Sequence, residues 1–595
     1  MVMPMQNKRS PARLLLLALS VAAFPGLSAH ALTLTVGSTG CDYSDLNFVL
    51  DGLAGVAGPH EIRLRTQTFS VPDGLELDAG AANVTIRGGY ASCSDPSPTA
   101  GQRSIIDASG GANGTALSIG AAPGSPIHLV SLKRISVRGG TPEGGGGALG
   151  GGGLLVLGKV YVTLEEQTFI ESNVSGNGGG VLLAGFDASN RPTLQILSGS
   201  RIANNTAQMN GGGIYCYDYA SLYIDGGVVA MNTAAQAGGG VYLHNACLLD
   251  SIVDPGSFTG INENQAQTGA GLFAEGGSPL SIQGAANAPF RIAGNVASNT
   301  GGGIAILNNA GGRALVNLSA TVFLDNQAAT RGAAMLISGA VDLNLRAGDT
   351  LGSCAFAGVD FGACSAVIGN SAPLTSGSGG ATSAIEANYA AAGSPRLRLS
   401  RTAFGDNEAD LLLHGVLRSS SEGIDIEGSL ITRNNVSRGL LLFENLEEFT
   451  PSEDRITWST IAGNTRVQAG SYVLAHFASP VNLTGSIVYQ PDFVDRSFST
   501  GAVVHGGCLL VDSATTWPST PFAPIVGNPG LDAALVAPLA SPAIDVCAAT
   551  TAPLVDFAGN PRSVDQPGVP NINGPVDLGA RELPFTDTIF ANGFD

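Results

Sequence analysis

Three sets of residues in this 595-residue chain have types and spacings that chemistry could use. Tyr215 and Tyr242 hold the same place after a run of glycines, with Phe273 one repeat further on. If their neighbours Ile214, Val241 and Leu272 point inward along strands, alternation turns the three rings outward into one row. Such a row stacks against the apolar faces of sugars, or it stacks on itself and stabilises the sheet that carries it. Either use needs the same geometry. Nine residues before three recurring asparagines stand Arg398, Asp425 and Arg455, flanked by Leu397, Leu399, Ile424 and Ile426. Alternation sends these charges out in one column of changing sign. The column is either an ion-pair network, worth at most about 1 kcal/mol per exposed pair, or the arginine base of a lyase acting on a uronate. Glu263, Gly294 and Asp325 precede asparagines in three successive repeats. Two strand spacings would hold the carboxylates ~9.6 Å apart, near the upper limit for an inverting glycosidase. Keeping like charges apart explains the same pattern.

The elements that must position these groups recur from Phe169 to Ala334. An apolar residue stands three before an asparagine, from Ile202 to Asn205 and from Val229 to Asn232, then at Ile261 to Asn264, Ile292 to Asn295 and Phe323 to Asn326. Five or six residues later come glycines leading into an aliphatic, as in Gly211-Gly212-Gly213-Ile214 and Gly238-Gly239-Gly240-Val241. A period of 27 to 32 residues predicts a stack of supersecondary units. Short alternating segments such as Leu222-Tyr223-Ile224 make each unit strand rather than helix. The fold expected is all-β, a single-stranded right-handed parallel β-helix with an N-terminal cap and an irregular C-terminal cap. Like residues of successive coils then stack about 4.8 Å apart. Asn173, Asn205, Asn232, Asn264, Asn295, Asn326, Asn370, Asn407, Asn434 and Asn464 should form one structural ladder, since an amide both donates and accepts and asparagine tolerates the left-handed backbone of a turn. The glycines supply positive φ and let backbones approach at a corner.

The coupled apolar-x-x-Asn and Gly-Gly-x-Ile elements between Phe169 and Ala334 resemble the repeats of polymorphic outer-membrane proteins, which are β-helical surface proteins. The clustered aspartates and Gly-His-Gly element of polygalacturonase-like β-helices have no counterpart. His505 lies in Val504-His505-Gly506-Gly507, and His60, His128, His244, His414 and His476 are scattered. No cofactor, metal ligand set or catalytic residue is therefore assigned.

Lys8, Arg9 and Arg13 precede the apolar run Leu14 to Ala23, and Ala29-His30-Ala31 has the form of a cleavage site, so residues 1–31 are expected to be an export signal cut after Ala31. That removes three of the 28 basic residues and none of the 47 acidic ones, leaving a formal charge of −22. So acidic a chain is a poor nucleic-acid binder, and no later segment is long and apolar enough to span a membrane. All eight cysteines lie past the cut, which suits an oxidising compartment. The pairs expected are Cys41 with Cys93, Cys354 with Cys364, Cys508 with Cys547 and, across neighbouring coils, Cys216 with Cys247. No CxxC motif supports redox or zinc chemistry. Ser44 followed by Leu46, Val49, Leu50 and Leu53 predicts an N-capped amphipathic helix that covers the first coil.

The cap and first coils are placed at residues 32–104, and the β-helix at 105–490. The 44-residue interval from Asn326 to Asn370 implies an outward loop holding Cys354 and Cys364. The segment 491–582 carries the last coils and then a region with Ser541-Pro542-Ala543-Ile544-Asp545, Gly559-Asn560-Pro561-Arg562 and Asp577-Leu578-Gly579-Ala580-Arg581-Glu582. Over roughly 527–582 it resembles the choice-of-anchor Q domain of bacterial β-helix surface proteins, and the end of the tail placed at 583–595, Ile589 to Asp595, is similar to short tails of exported proteobacterial proteins. These resemblances imply a secreted or outer-membrane-associated protein of a Gram-negative bacterium, with glycans or envelope or host surface components as partners. Two functions are carried forward: non-enzymatic surface display, and a polysaccharide lyase or glycoside hydrolase of the pectin-lyase-like type.

Overall fold

The structure, a computed structural model, describes residues 31–584 apart from 112–113, 123, 143–149, 254–257, 286–287, 310–311, 349–354, 357–358, 361–364, 376–379, 390–395, 418–422, 446–453, 478–480, 494–502, 505–507, 514–522 and 549–551. The segment before the expected cut, Cys354, Cys364, His505 and most of the C-terminal tail lie outside the described residues.

The chain winds as a parallel β-solenoid of about 13 turns. One turn runs from Val160–Glu165 through Phe169–Glu171 to Val181–Ala184, and the next begins at Thr193–Leu197, where Val162 faces Leu194 in register. We call the sheets that these three segments belong to sheets 1, 2 and 3; among the described residues they hold 16, 16 and 14 strands. Strand alternation puts Leu222 and Ile224 of sheet 1, Ile202 and Val229 of sheet 2, and Ile214 and Val241 of sheet 3 into one continuous core. Each such side chain contributes about 1.5–3 kcal/mol on burial. Strands already begin at Leu32–Val36 and continue to Ile525–Val526. The long Asn326 to Asn370 interval holds an antiparallel pair, Ala355–Phe356 with Val359–Asp360. Among the described residues no helix is long and apolar enough to cross a membrane.

The asparagines form a spine at the turn after sheet 2. Asn232 Oδ1 accepts from both Asn205 N and Asn205 Nδ2 at 3.0 Å, while Asn232 Nδ2 donates to Asn264 Oδ1 at 3.1 Å and to Ile202 O at 3.0 Å. The amide's bonding capacity is thus filled within the protein. The same Nδ2 to Oδ1 bond joins every rung from Asn173 to Asn464. Gln490 supplies the next rung, its amide oxygen turned to accept from Asn464 N at 3.1 Å. The left-handed backbone belongs not to the asparagine, as expected, but to the residue before it: Asn204, Met231, Glu263, Gly294, Asp325, Asp406 and Arg433 all have φ between 53° and 62°. The glycine run meets this spine. A Cβ on Gly240 would lie 2.6 Å from Gly271 O and 2.8 Å from Asn264 Nδ2, so the two halves of the repeat are one packing unit.

The helix spans Leu46–Leu53 and packs Leu46, Val49, Leu50 and Leu53 against the solenoid beside Leu75–Asp78. Its N-cap is Asp45, one residue after the expected Ser44, with Oδ1 accepting from Asn47 N at 2.9 Å and Phe48 N at 3.3 Å. Disulfides join Cys41 to Cys93, Cys216 to Cys247 and Cys508 to Cys547, with Cα separations of 5.1, 6.1 and 5.9 Å. The C-terminal region lies along the flank of the solenoid as well as near its end. Phe557 and Ala580 pack on Val322, Ala366, Ala403 and Leu430 of sheet 2, and Ile544 and Leu578 pack on Ile487 and Leu510. Ala580 N donates to Thr460 Oγ1 at 2.9 Å and Gly579 N to Gly485 O at 2.7 Å.

Candidate functional site

The aromatic row lies on the outer face of sheet 3, with Tyr215, Tyr242 and Phe273 in register on successive strands. Ring centroids are 4.9 Å apart at each step and the planes lie within 20° of parallel. The rings stack on one another, and their exposures are only 9, 7 and 6%. A sugar would need an uncovered face, so this row serves the sheet. Beside it, Glu275 Oε1 accepts from Tyr242 Oη and from His244 Nδ1, both at 2.6 Å. That hydrogen bond raises the His244 pKa above its ordinary value and lowers that of Glu275, so the pair favours its charged form.

Further along the same face is a second titratable cluster, which the sequence did not reveal. Glu386 follows Leu336 in register and is followed by His414. Glu386 Oε2 accepts from Ser383 Oγ and His414 Nδ1, each at 3.0 Å, and Arg331 Nη1 stands 3.4 Å from Oε1. The opposite edge of the imidazole, Nε2, lies 3.4 Å from Glu444 Oε2, an ionic approach without hydrogen-bond geometry. Burial opposes charge on His414, yet the hydrogen bond to Glu386 and the two carboxylates hold its pKa above the ordinary value. Two carboxylates flanking a reacting bond would suit glycoside hydrolysis. Here the imidazole fills the space between them, where the glycosidic oxygen would have to sit. The buried Glu386 is held by Ser383, His414 and Arg331, so the cluster ties neighbouring coils together.

The charged column forms in register as Arg398, Asp425 and Arg455. Its ion pair differs from expectation: Asp425 pairs with Arg396, one alternation earlier on the neighbouring strand, not with Arg398. Glu263 and Asp325 are exposed at their left-handed corners, a conformation that the turn requires of whichever residue stands there. In the same column Arg433 bridges to Asp406 at 2.8 Å. A serine and threonine ladder was also missed. Five residues before the ladder asparagines, Thr402 N donates to Ser429 Oγ and Ser429 N to Ser459 Oγ, both at 3.1 Å.

The C-terminal motifs account for four buried acids around one buried arginine. Asp577 Oδ1 accepts from Asp545 N at 2.9 Å, Glu582 Oε2 from Asp577 N at 3.2 Å, and Asp556 Oδ2 from Glu582 N at 3.1 Å. Arg562 donates to Gly579 O at 2.6 Å and to Trp458 O at 3.3 Å, tying the region to the solenoid. Burial pushes the Asp577 carboxyl up to about 6; burial, then repulsion from Asp577, pushes Glu582 up to about 8. These acids hold the backbone of the region in place. Among the described residues no group of three or more His, Cys, Asp or Glu side chains is placed to hold a metal ion.

What stays open is the middle of sheet 1. At the N-terminal end its outer face is filled by an ion-pair network in which Arg87 meets Glu166 at 2.8 Å and Lys133 meets Glu165 at 3.0 Å. Between that network and Arg396, the outward side chains of Tyr223, Asp250, Ser281, Asn317 and Asn344 are partly or fully exposed and make no hydrogen bond within the described chain. No family model, no curated protein and no solved structure matches the chain.

Proposed function

We propose that the chain is an exported, non-enzymatic, right-handed β-solenoid that displays a long binding surface for adhesion or for contact with the cell envelope. The observation that carries this is the internal pairing of the titratable clusters on its outer faces. Glu275 is held by Tyr242 and His244, Glu386 by Ser383, His414 and Arg331, and Asp425 by Arg396. A catalytic acid or base needs a free position toward substrate, whereas a display scaffold needs rigid, mutually bonded coils. The resemblance of the repeats and of residues 527–582 to surface-protein elements supports the same reading. The runner-up, a polysaccharide lyase or hydrolase of the pectin-lyase-like type, needs a carboxylate or arginine free beside a substrate. Envelope fractionation should find the protein secreted or bound to the outer membrane, and pull-down should recover a glycan, envelope or host component. Unsaturated or reducing ends released from a polysaccharide, lost in Glu386→Gln, with nothing retained in the pull-down, would refute it.

A further inference from the structure

Resting on that display reading, we infer that the outer face of sheet 1, from Tyr223 to Arg398, binds a linear neutral polysaccharide laid along the solenoid axis. Tyr223, Asp250, Ser281, Asn317, Asn344 and Arg398 stand in strict register on six successive strands. At about 4.8 Å per strand the row is ~24 Å long. Inward Leu222, Leu249, Val316, Leu343 and Leu397 are fully buried and fix the outward row in place. A phenol, two amides and a hydroxyl give the row both donors and acceptors, unspent on the protein itself. Ile252 at 60% exposure and Leu315 at 53% stand on either side of the row. A sugar ring has that same division, hydroxyl edges and apolar C–H faces, and a polymer presents it repeatedly along one line.

Charge selects among polymers. The chain carries a formal charge of −19, and −22 without the expected leader. Asp225 and Asp250 lie on or beside its first strands, whereas Asp342 further along is paired with Arg313 at 3.9 Å and the far end carries Arg396 and Arg398. A polyuronate would meet repulsion from the net charge of the chain and from the first strands of the row, and a neutral polymer would not.

The test uses the full mature chain in affinity electrophoresis and pull-down against hydroxyethylcellulose, xylan, mannan and dextran, with polygalacturonate and alginate as polyanions. At least one neutral polymer should bind and the polyanions should not. The triple variant Tyr223→Ala/Asn317→Ala/Asn344→Ala should weaken binding at least tenfold with unchanged far-ultraviolet circular dichroism. Asn317→Asp/Asn344→Asp, which keeps size, should weaken it too, and Glu386→Gln on sheet 3 should not. No neutral polymer bound, full binding by the triple variant, or equal binding of a polyanion would overturn the inference. If neutral polymers fail while an envelope or host protein is captured, this inference falls and the display reading stands. Depolymerised product would instead remove the display reading.

Discussion

Replacing Asn264 by alanine removes one rung of the spine, and the structure says what that costs. Asn264 Oδ1 accepts from Asn232 N at 3.0 Å and Asn232 Nδ2 at 3.1 Å. Both donors are buried; alanine leaves Asn232 N without its partner and orphans one N–H of Asn232 Nδ2, whose other N–H stays on Ile202 O. At about 1–3 kcal/mol for each orphaned donor the loss is ~2–6 kcal/mol. The acceptors lose less, because Asn295 Oδ1 keeps its bond from Asn264 N at 3.0 Å. Each turn of a solenoid touches only its neighbours, so the damage stays local. Native-state hydrogen exchange is the assay, since a single unfolding free energy is ill defined for a long repeat array. Protection should drop around Asn232, Asn264 and Asn295 and remain unchanged around Asn434. The companion Asn264→Asp separates donor from acceptor. Protonated, the acid still donates and accepts; ionised, it faces Asn295 Oδ1 without a proton. Burial raises its folded pKa above the ordinary value of about 4, so stability falls as pH rises beyond that value. Asn264→Asp should therefore lie nearer to wild type at pH 4 than at pH 7. A change below about 1 kcal/mol at every amide near Asn264, or a loss of protection spread evenly along the chain, would refute the ladder as a source of local stability.

Gly240→Ala places a methyl 2.6 Å from Gly271 O and 2.8 Å from Asn264 Nδ2; the expected loss is several kcal/mol, read by hydrogen exchange in the same two coils, as for other overpacked sites at about 1–3 kcal/mol or more. Reducing the Cys216–Cys247 bond opens a crosslink of sequence separation 31; chain entropy sets its contribution at about 3–4 kcal/mol, so thermal unfolding of a Cys216→Ala/Cys247→Ala variant should start at a lower temperature. The folded Glu582 carboxyl keeps its proton to about pH 8 against an ordinary 4.5, so the folded state binds the extra proton across that window and stability falls as pH rises through it. Proteolytic cleavage within 556–584 should consequently be faster at pH 8.5 than at pH 5.5, and Glu582→Gln should flatten the difference.

The solenoid was legible because its signal is periodic. Asn205 to Asn326 recur at 27 to 32 residues, and each falls on the ladder. Register was legible for the same reason, so Tyr215, Tyr242 and Phe273, and Arg398, Asp425 and Arg455, stand opposite one another as the spacing requires. Backbone detail was not, because asparagine tolerates φ > 0 and the pattern cannot say whether it or its predecessor adopts it. Ring burial was not legible either: the rings take one another's faces, and Ala237 from the adjoining turn packs against them. Glu386 and His414 stand outside the regular repeat, after the long interval, so no period pointed to them. The serine and threonine ladder carried a signal at five residues before the asparagine that went unused. The position of residues 527–582 depends on apolar side chains such as Phe557 with no period to trace.

The inference about sheet 1 depends on how the other two faces are used. Sheet 2 cannot offer a long open surface in its C-terminal half, because Val322, Ala366, Ala403 and Leu430 lie under Phe557 and Ala580. Sheet 3 is occupied along the same outward column by the stacked rings and then by Glu386 and His414. On sheet 1 both ends are filled with ion pairs, while the intervening row keeps polar groups that bond to nothing else in the described chain. A side chain whose polar atoms are satisfied internally stabilises a fold; one that is fixed by its strand and left to solvent loses little further freedom on meeting a ligand. A rigid row of such groups at strand spacing favours a partner with its own regular repeat over a globular one. Shifting the register by one residue would turn Leu222, Leu249 and Val316 outward and the polar row inward, so the buried core and the binding face are specified by the same alternation.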